Sequence, residues 1–180
     1  MIHIRPAVPE DGDVLGEIHA AAWEAAYAPF FAPEFAAEAV RDRRGRWHAR
    51  LAGGQGRETV LLALHDGRPV ALSFCGPSGD RPGLAEIHSC YAHPDGWGSG
   101  ASTTLMTATL RHLRETGFTR VHLWTLRDTP RSRRFYTKCG FSESGEERAF
   151  DFGDGNPLPQ IEYERSCRTA GIGDGTSGPG

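Results

Sequence analysis

Tyr91-Ala92-His93-Pro94-Asp95-Gly96-Trp97-Gly98-Ser99-Gly100-Ala101-Ser102-Thr103 is the stretch on which the fold turns. Before it, Leu84–Ala92 mixes Glu86, His88 and Ser89 with apolar residues and predicts a half-polar strand. After it, Ala101–Thr116 places Leu105, Met106, Ala108, Leu110 and Leu113 at helical spacing, with Gly117 at the C′ position. A strand, a glycine-rich turn and a helix start leave the N–H groups of Gly98–Thr103 unpaired at the positive end of the helix dipole. Gly98 and Gly100 remove the side chains that would hold a ligand off the backbone, so the turn attracts a phosphate or pyrophosphate. Gly96-x-Gly98-x-x-Ala101 also satisfies the dinucleotide fingerprint G-x-G-x-x-G/A. Its context argues against that use. A dinucleotide-binding strand is buried on both faces and runs straight into its first glycine, whereas here the strand is half polar and His93-Pro94-Asp95 intervene.

Outward from this point the pattern is mixed α/β. Ile2–Pro6 alternates as a strand, and Asp11–Tyr27 carries Val14, Leu15, Ile18, Ala22 and Ala25 on one helical stripe. Pro29 and Pro33 punctuate. Glu34–Leu51 predicts one helix with a basic outer face of Arg41, Arg43, Arg44, Arg46 and Arg50. Thr59–Leu64 and Pro69–Cys75 flank His65-Asp66-Gly67-Arg68, an Asp-Gly hairpin with a type I′ turn. Arg120–Leu126 is a strand. Thr129 is placed to cap a short helix that starts at Pro130 and ends at Gly140. Glu146–Phe152 and Gln160–Arg165 form a last hairpin around Gly153–Pro159. The order predicts a central, mostly antiparallel sheet flanked by helices.

Composition narrows the function classes. The 180 residues carry a net charge of −3, which argues against a general nucleic-acid binder. Cys75, Cys90, Cys139 and Cys167 form no C-x-x-C pair, so no zinc ribbon is expected, no metal is called for, and the thiols are expected reduced and buried. No run of 18 apolar residues and no basic-led apolar leader occurs, so no membrane association and a cytoplasmic location are expected.

A second segment, Thr129-Pro130-Arg131-Ser132-Arg133-Arg134-Phe135-Tyr136-Thr137-Lys138-Cys139-Gly140-Phe141, follows the strand Arg120–Leu126 directly. Taken with the glycine turn, it resembles the GCN5-related N-acetyltransferase superfamily, whose members move an acetyl group from acetyl-CoA to an amine. The turn is similar to that family's pyrophosphate loop, Q/R-x-x-G-x-G/A, and Phe135–Phe141 to its F-Y-x-x-x-G-F signature. The resemblance spans Met1–Cys167, which gives a single domain 1–167 and a flexible glycine-rich tail 168–180 with five glycines in thirteen residues.

The resemblance implies a GNAT-like acyl-CoA N-acyltransferase fold, acetyl-CoA or coenzyme A as co-substrate, and roles for particular residues. The pantetheine arm would lie along Cys90–His93, bonded to the amides of Tyr91 and His93 and passing Ala92. The diphosphate would sit on the loop Trp97, Gly98, Ser99, Gly100, Ala101, Ser102 and Thr103. Thr129, Ser132, Arg133 and Tyr136 would complete the cofactor site, with an arginine at the 3′-phosphate. Tyr136 would protonate the departing thiolate, since a phenol at ~10 stays protonated beside an alkyl thiol at ~8.5. Glu86 would be the base, with His88 on the same strand and an ordered water left as alternatives. A carboxylate at ~4.3 is weak for that task, and an imidazole lies nearer 6.5. The Tyr91 amide would hold the oxyanion. An amine-bearing acceptor, a small molecule or a protein N-terminus, would enter past Trp23, Tyr27, Phe30 and Phe31 and the Phe150–Gln160 tip. A homodimer is compatible with such folds.

Four positions depart from the family pattern: Trp97 for Gln or Arg, Ser102 for the second small Gly or Ala, Thr129 for Asn and Ser132 for Ala. The first three motivate an alternative, a coenzyme-binding sensor or interaction domain without catalysis. Between Arg120 and Gly140 six basic residues face one acid, Asp128, a patch suited to a polyanionic cofactor. The basic helix Glu34–Leu51 suggests an acidic partner as a third reading.

Overall fold

A computed structural model of the chain describes residues 1–54 and 56–168; the expected tail, apart from Arg168, lies outside the described residues. The elements are β1 (Ile2–Pro6), α1 (Gly12–Tyr27), α2 (Pro33–Gly45), α3 (Trp47–Ala52), β2 (Thr59–His65), β3 (Arg68–Pro77), β4 (Ala85–Ala92), α4 (Ala101–Glu115), β5 (Arg120–Leu126), α5 (Pro130–Lys138), β6 (Ser142–Phe150) and β7 (Leu158–Ser166). Seven strands form one sheet in the order β1-β2-β3-β4-β5-β7-β6. Every pairing is antiparallel except β4–β5. The mixed α/β, mostly antiparallel architecture is the one expected.

Helices α4 and α5 cover one face. Leu105 and Ala101 pack on Leu61, Ala63, Val70 and Ala71, while Met106, Leu110 and Leu113 join Val121, Leu123, Tyr136 and Phe141. Helices α1 and α3 cover the other face over β2–β4, and α2 packs on α1. The buried stripe of α1 is Leu15, Ile18, His19, Ala22 and Trp23, at i, i+3, i+4, i+7 and i+8; Ala25 is exposed. His19 and Trp23, rather than Ala25, complete it.

The helix expected over Glu34–Leu51 is two helices, broken at Arg46. Its two apolar groups share one helical stripe in the sequence but pack on different partners. Ala36, Ala39 and Val40 pack on Ala20 and Trp23, whereas Trp47 and Leu51 enter the core against Val60, Leu62, Leu72 and Phe74. Gly16 permits the crossing of α1 and α2, because a Cβ there would lie 2.0 Å from the Arg44 carbonyl oxygen. The arginines are not a uniformly solvated face. Arg44 pairs with Glu17 and Arg46 with Asp42, but Arg43 stacks on Trp23 at 4.3 Å and Arg50 on Trp47 at 4.7 Å.

The Asp66-Gly67 turn is as expected, with φ of +50° and +80° at its central residues. The last hairpin begins earlier than expected. β6 starts at Ser142, because Ser-Glu-Ser-Gly-Glu-Glu is an exposed charged edge strand with no apolar alternation to reveal it.

Candidate active site

The parallel ladder between β4 and β5 lasts only two rows, Ala85–Val121 and Glu86–His122. Beyond Glu86 the strands splay, and a cleft of about 380 Å³ opens between them. Its walls carry Tyr27 from α1, His88–Ala92 from β4, Gly96–Gly98, Gly100, Ser102 and Thr103 from the glycine loop, Trp124 from β5, and Arg131, Ser132, Phe135 and Tyr136 from α5.

Register decides which backbone groups face this gap. The His93 amide donates to the Val70 carbonyl at 2.8 Å, and β3 pairs Leu72 with Tyr91 and Ala71 with Ala92. Antiparallel alternation then turns the Tyr91 amide toward β3 and leaves those of Cys90 and Ala92 facing the gap. This corrects the expectation for Tyr91 and His93, whose amides belong to the sheet. The Tyr91 side chain points away as well, stacking on His19 at 4.4 Å. Trp97 lies along the same edge, its Nε1 donating to the Ala92 carbonyl at 3.1 Å. The Arg131 guanidinium sits 3.3 Å from the centre of its ring, joining the loop to α5 across the cleft.

The glycine turn is narrower as a cradle than the sequence suggested. Ser99 N–H donates to the Gly96 carbonyl and Ala101 N–H to Ser99 Oγ. The amides of Gly98, Gly100, Ser102 and Thr103 have no acceptor among the described residues. Gly98 and Gly100 take φ of +77° and +84°, which L side chains rarely adopt. The cradle thus needs glycine for its backbone shape as well as for access. Chemically it fits an anion with several oxygens.

On α5, Ser132 and Tyr136 line the cleft. Burial pushes the Tyr136 phenol well above its ordinary value, so it is a protonated acid at neutral pH. Thr129 does not cap its helix. Its Oγ1 donates backward to the Leu126 carbonyl at 2.7 Å. Arg133 is turned from the cleft, donating to Tyr163 Oη, the Arg127 carbonyl and Glu143 Oε1. Of the basic patch, Arg131 and Lys138 reach the cleft instead.

Glu86 does not line the cleft. Its Oε2 lies 2.6 Å from His88 Nδ1, and His88 is the residue exposed to the cleft wall. Behind them His122, fully buried, contacts Glu162 through Nδ1 at 2.9 Å and Ser78 Oγ through Nε2 at 2.6 Å, and Arg81 closes on Glu162 at 2.8 Å. Asp80, Glu86 and His122 offer ligand atoms within 4.8 Å of one another, the grouping among the described residues that could hold a metal ion. The His122 Nε2 there is 3.7 Å from each carboxylate and engaged by Ser78.

At the acceptor end, Tyr27 lines the cleft but Trp23 and Phe30 do not. Trp23 is 1% exposed in the α1–α2 core, stacked on Phe31, and Phe30 faces solvent. Phe152, between β6 and β7, meets Tyr27 at 6.2 Å and Phe31 at 5.5 Å, so the helix pair and the hairpin tip do come together as expected. The four cysteines are free. Cys75 and Cys167 are buried, whereas Cys90 and Cys139 are only partly so. Burial pushes the Cys90 thiol, on the cleft wall, up to about 12.

Sequence and structure comparisons agree with this geometry. The profile of the acetyltransferase (GNAT) family matches residues 15–141. A protein named as an uncharacterized N-acetyltransferase of Mycobacterium tuberculosis is 33% identical over 145 residues, 79% of this chain and 90% of that one. Among solved structures, the PaiA N-acetyltransferase of Thermoplasma acidophilum, in complex with coenzyme A, superposes with a TM-score of 0.72 at 19% identity, over 92% of this chain and 99% of that one. The protein yncA of Salmonella typhimurium, solved with acetyl-CoA, gives 0.70 at 20% identity, over 97% and 98%. With the splayed parallel pair, the glycine cradle and the tyrosine of α5 already in place, the profile match over most of its length makes this chain a member of the GNAT acetyltransferase family.

Proposed function

We propose that the protein transfers the acetyl group of acetyl-CoA to a primary amine by direct attack, with no covalent enzyme intermediate. The observation that carries this is the convergence, in one cleft, of an unpaired strand edge, an anion cradle and a buried phenol. The diphosphate of the co-substrate suits the amides of Gly98, Gly100, Ser102 and Thr103, with Arg131 supplying positive charge beside them. The Cys90 and Ala92 amides suit the pantetheine arm, which would extend the sheet where β5 leaves it. An amide at the same edge would hold the oxyanion, and register favours that of Cys90 over that of Tyr91.

His88, with Glu86 fixing its Nδ1–H, takes a proton from the ammonium and leaves a neutral amine to attack the thioester carbonyl. The tetrahedral intermediate then collapses, the C–S bond breaks, and Tyr136 gives its proton to the departing thiolate. The high-lying Cys90 thiol supports direct attack, since a thiol held protonated is a poor nucleophile. No helix among the described residues is long and apolar enough to cross a membrane. The test is thiol release from acetyl-CoA over a panel of amines, comparing the parent with Tyr136→Phe and Glu86→Gln. Turnover in the parent and its loss in both variants is expected. Coenzyme binding without turnover on any amine would refute the assignment.

A further inference from the structure

The acceptor half of the cleft contains buried polar atoms that the protein itself does not satisfy. Among the described residues, four buried side-chain polar atoms lack a hydrogen-bond partner: Trp23 Nε1, Arg43 Nε, His88 Nε2 and Trp124 Nε1. All are nitrogens, three of them obligate N–H donors. Two of the residues, His88 and Trp124, line the cleft, and Trp23 and Arg43 stack together behind Tyr27, which also lines it. Buried polar groups are normally paired, so the two orphans on the cleft wall, Trp124 Nε1 and His88 Nε2, say what the missing partner must bring. Here it must bring an acceptor for the Trp124 N–H and, with the His88 Nδ1–H held by Glu86, a donor for His88 Nε2.

Arg148 sharpens the chemistry. From β6 it lays its guanidinium 4.3 Å from the centre of the Trp124 ring, and 5.2 Å from that of Phe150. Nε donates to Gln160 Oε1 at 2.7 Å, while the two terminal nitrogens have no hydrogen-bond partner and no carboxylate within 4.0 Å among the described residues. The side chain is held flat by an aromatic and a neutral amide, with its bidentate edge left for something else. Burial lowers its pKa from the ordinary guanidinium value, and the more distant charges of Glu86, Asp80 and Glu162 offset part of that. On the same sheet face, His122 and Trp124 of β5 stand beside Glu162 and Gln160 of β7, and Glu86 pairs with His88 on β4. The floor therefore sets carboxylates and imidazole beside guanidinium and indole N–H, groups suited to an ammonium and a carboxylate a few bonds apart.

We infer that the acceptor is an amine that also carries a carboxylate, an amino-acid-like zwitterion. Its ammonium lies toward His88 and Glu86, and its carboxylate is taken by the terminal nitrogens of Arg148 together with Trp124 Nε1. This deepens the proposed acetyltransferase activity and rests on it. The experiment compares kcat/KM for free amino acids with that for their carboxamides and their decarboxylated amines, in the parent, Arg148→Gln and Arg148→Lys. The parent should favour the acids by about 10- to 100-fold, the worth of a hydrogen bond to a charged group. Arg148→Gln should collapse that preference to within about threefold, and Arg148→Lys should restore part of it. Titration with coenzyme A checks that each variant is folded. Equal use of acids and carboxamides, or a preference that survives Arg148→Gln, overturns the carboxylate subsite. Coenzyme binding with no transfer to any carboxylate-bearing amine overturns it too. Absence of coenzyme binding in the parent would instead sink the acetyltransferase assignment beneath it.

Discussion

Acidification should unfasten α1 and α3 from the sheet through one side chain. His19 is buried between Trp47, whose Nε1 donates to His19 Nδ1 at 3.1 Å, and Tyr91, stacked at 4.4 Å. Burial, with help from the charges of Arg43, Arg46 and Arg50, lowers its pKa from 6.5 to about 3. The native state therefore holds His19 neutral, while the unfolded chain binds a proton below 6.5. A histidine with a depressed native pKa contributes stability that is complete above 6.5 and is lost as pH falls from 6.5 toward 3. At pH 4.5 the unfolded chain gains about two units' worth of protonation, and at ~1.4 kcal/mol per unit the loss relative to pH 7 is about 2.5 kcal/mol. Protonation also converts Nδ1 into a donor and orphans the Trp47 N–H, so no rearrangement in place relieves the cost. Urea denaturation at pH 7 and 4.5 measures the difference, and His19→Gln, which keeps an acceptor for Trp47 but does not titrate, is the control. The parent should lose about 2–3 kcal/mol and His19→Gln under about 1. Equal losses in both, or none in the parent, would refute the assignment of acid sensitivity to His19.

Gly16→Ala should cost about 2–4 kcal/mol in urea denaturation, since its Cβ would meet the Arg44 backbone carbonyl, which no side-chain rotation can clear. Gly98→Ala meets nothing within 4 Å, so the fold should survive with about 1–2 kcal/mol of backbone strain. Its coenzyme A affinity should nevertheless fall about tenfold or more, while pantetheine, without phosphates, binds as to the parent; calorimetry with both ligands distinguishes the two. Tyr136→Phe should lower kcat by about 10²–10³-fold, the range of a general acid, with thermal stability little changed because the ring keeps its packing against Phe141 and Tyr163.

Side-chain chemistry was more legible in the sequence than backbone direction. The Asp66-Gly67 turn, the two glycines of the cradle and the tyrosine of α5 are each forced by a local requirement, and each stands where the residues put it. The amides of Cys90 and Ala92 could not be found that way. Whether an amide faces β3 or the gap depends on strand register, which a bulge at Phe74/Cys75 shifts without a mark in composition. His19 hid in the apolar stripe of α1, where a histidine carries no periodic signal of its own. The division of labour between Glu86 and His88 was hidden for a similar reason. Two residues apart on a strand they share a face, but only the 2.6 Å contact shows that one orients the other. Arg133 and Arg131 were equally basic in the sequence, and Glu143 with Tyr163 decided which one the cleft would keep.

The cleft itself follows from what each of the two central strands is tied to on its other side. β4 is zipped to β3 along its whole length, and β5 to β7 over all seven of its residues, both antiparallel. With both outer ladders complete and only two parallel rows between them, neither strand can swing across to close the gap without breaking bonds it already has. The unpaired edge of β4 is therefore a fixed feature of the fold. An exposed edge of this kind invites a strand-like guest, and here it lines the cleft. A slender amide-bearing arm can complete the sheet there, and its anionic end then falls on the glycine cradle. Under the proposed function, coenzyme binding and sheet completion are one event, so the coenzyme would brace the edge that the fold leaves unpaired.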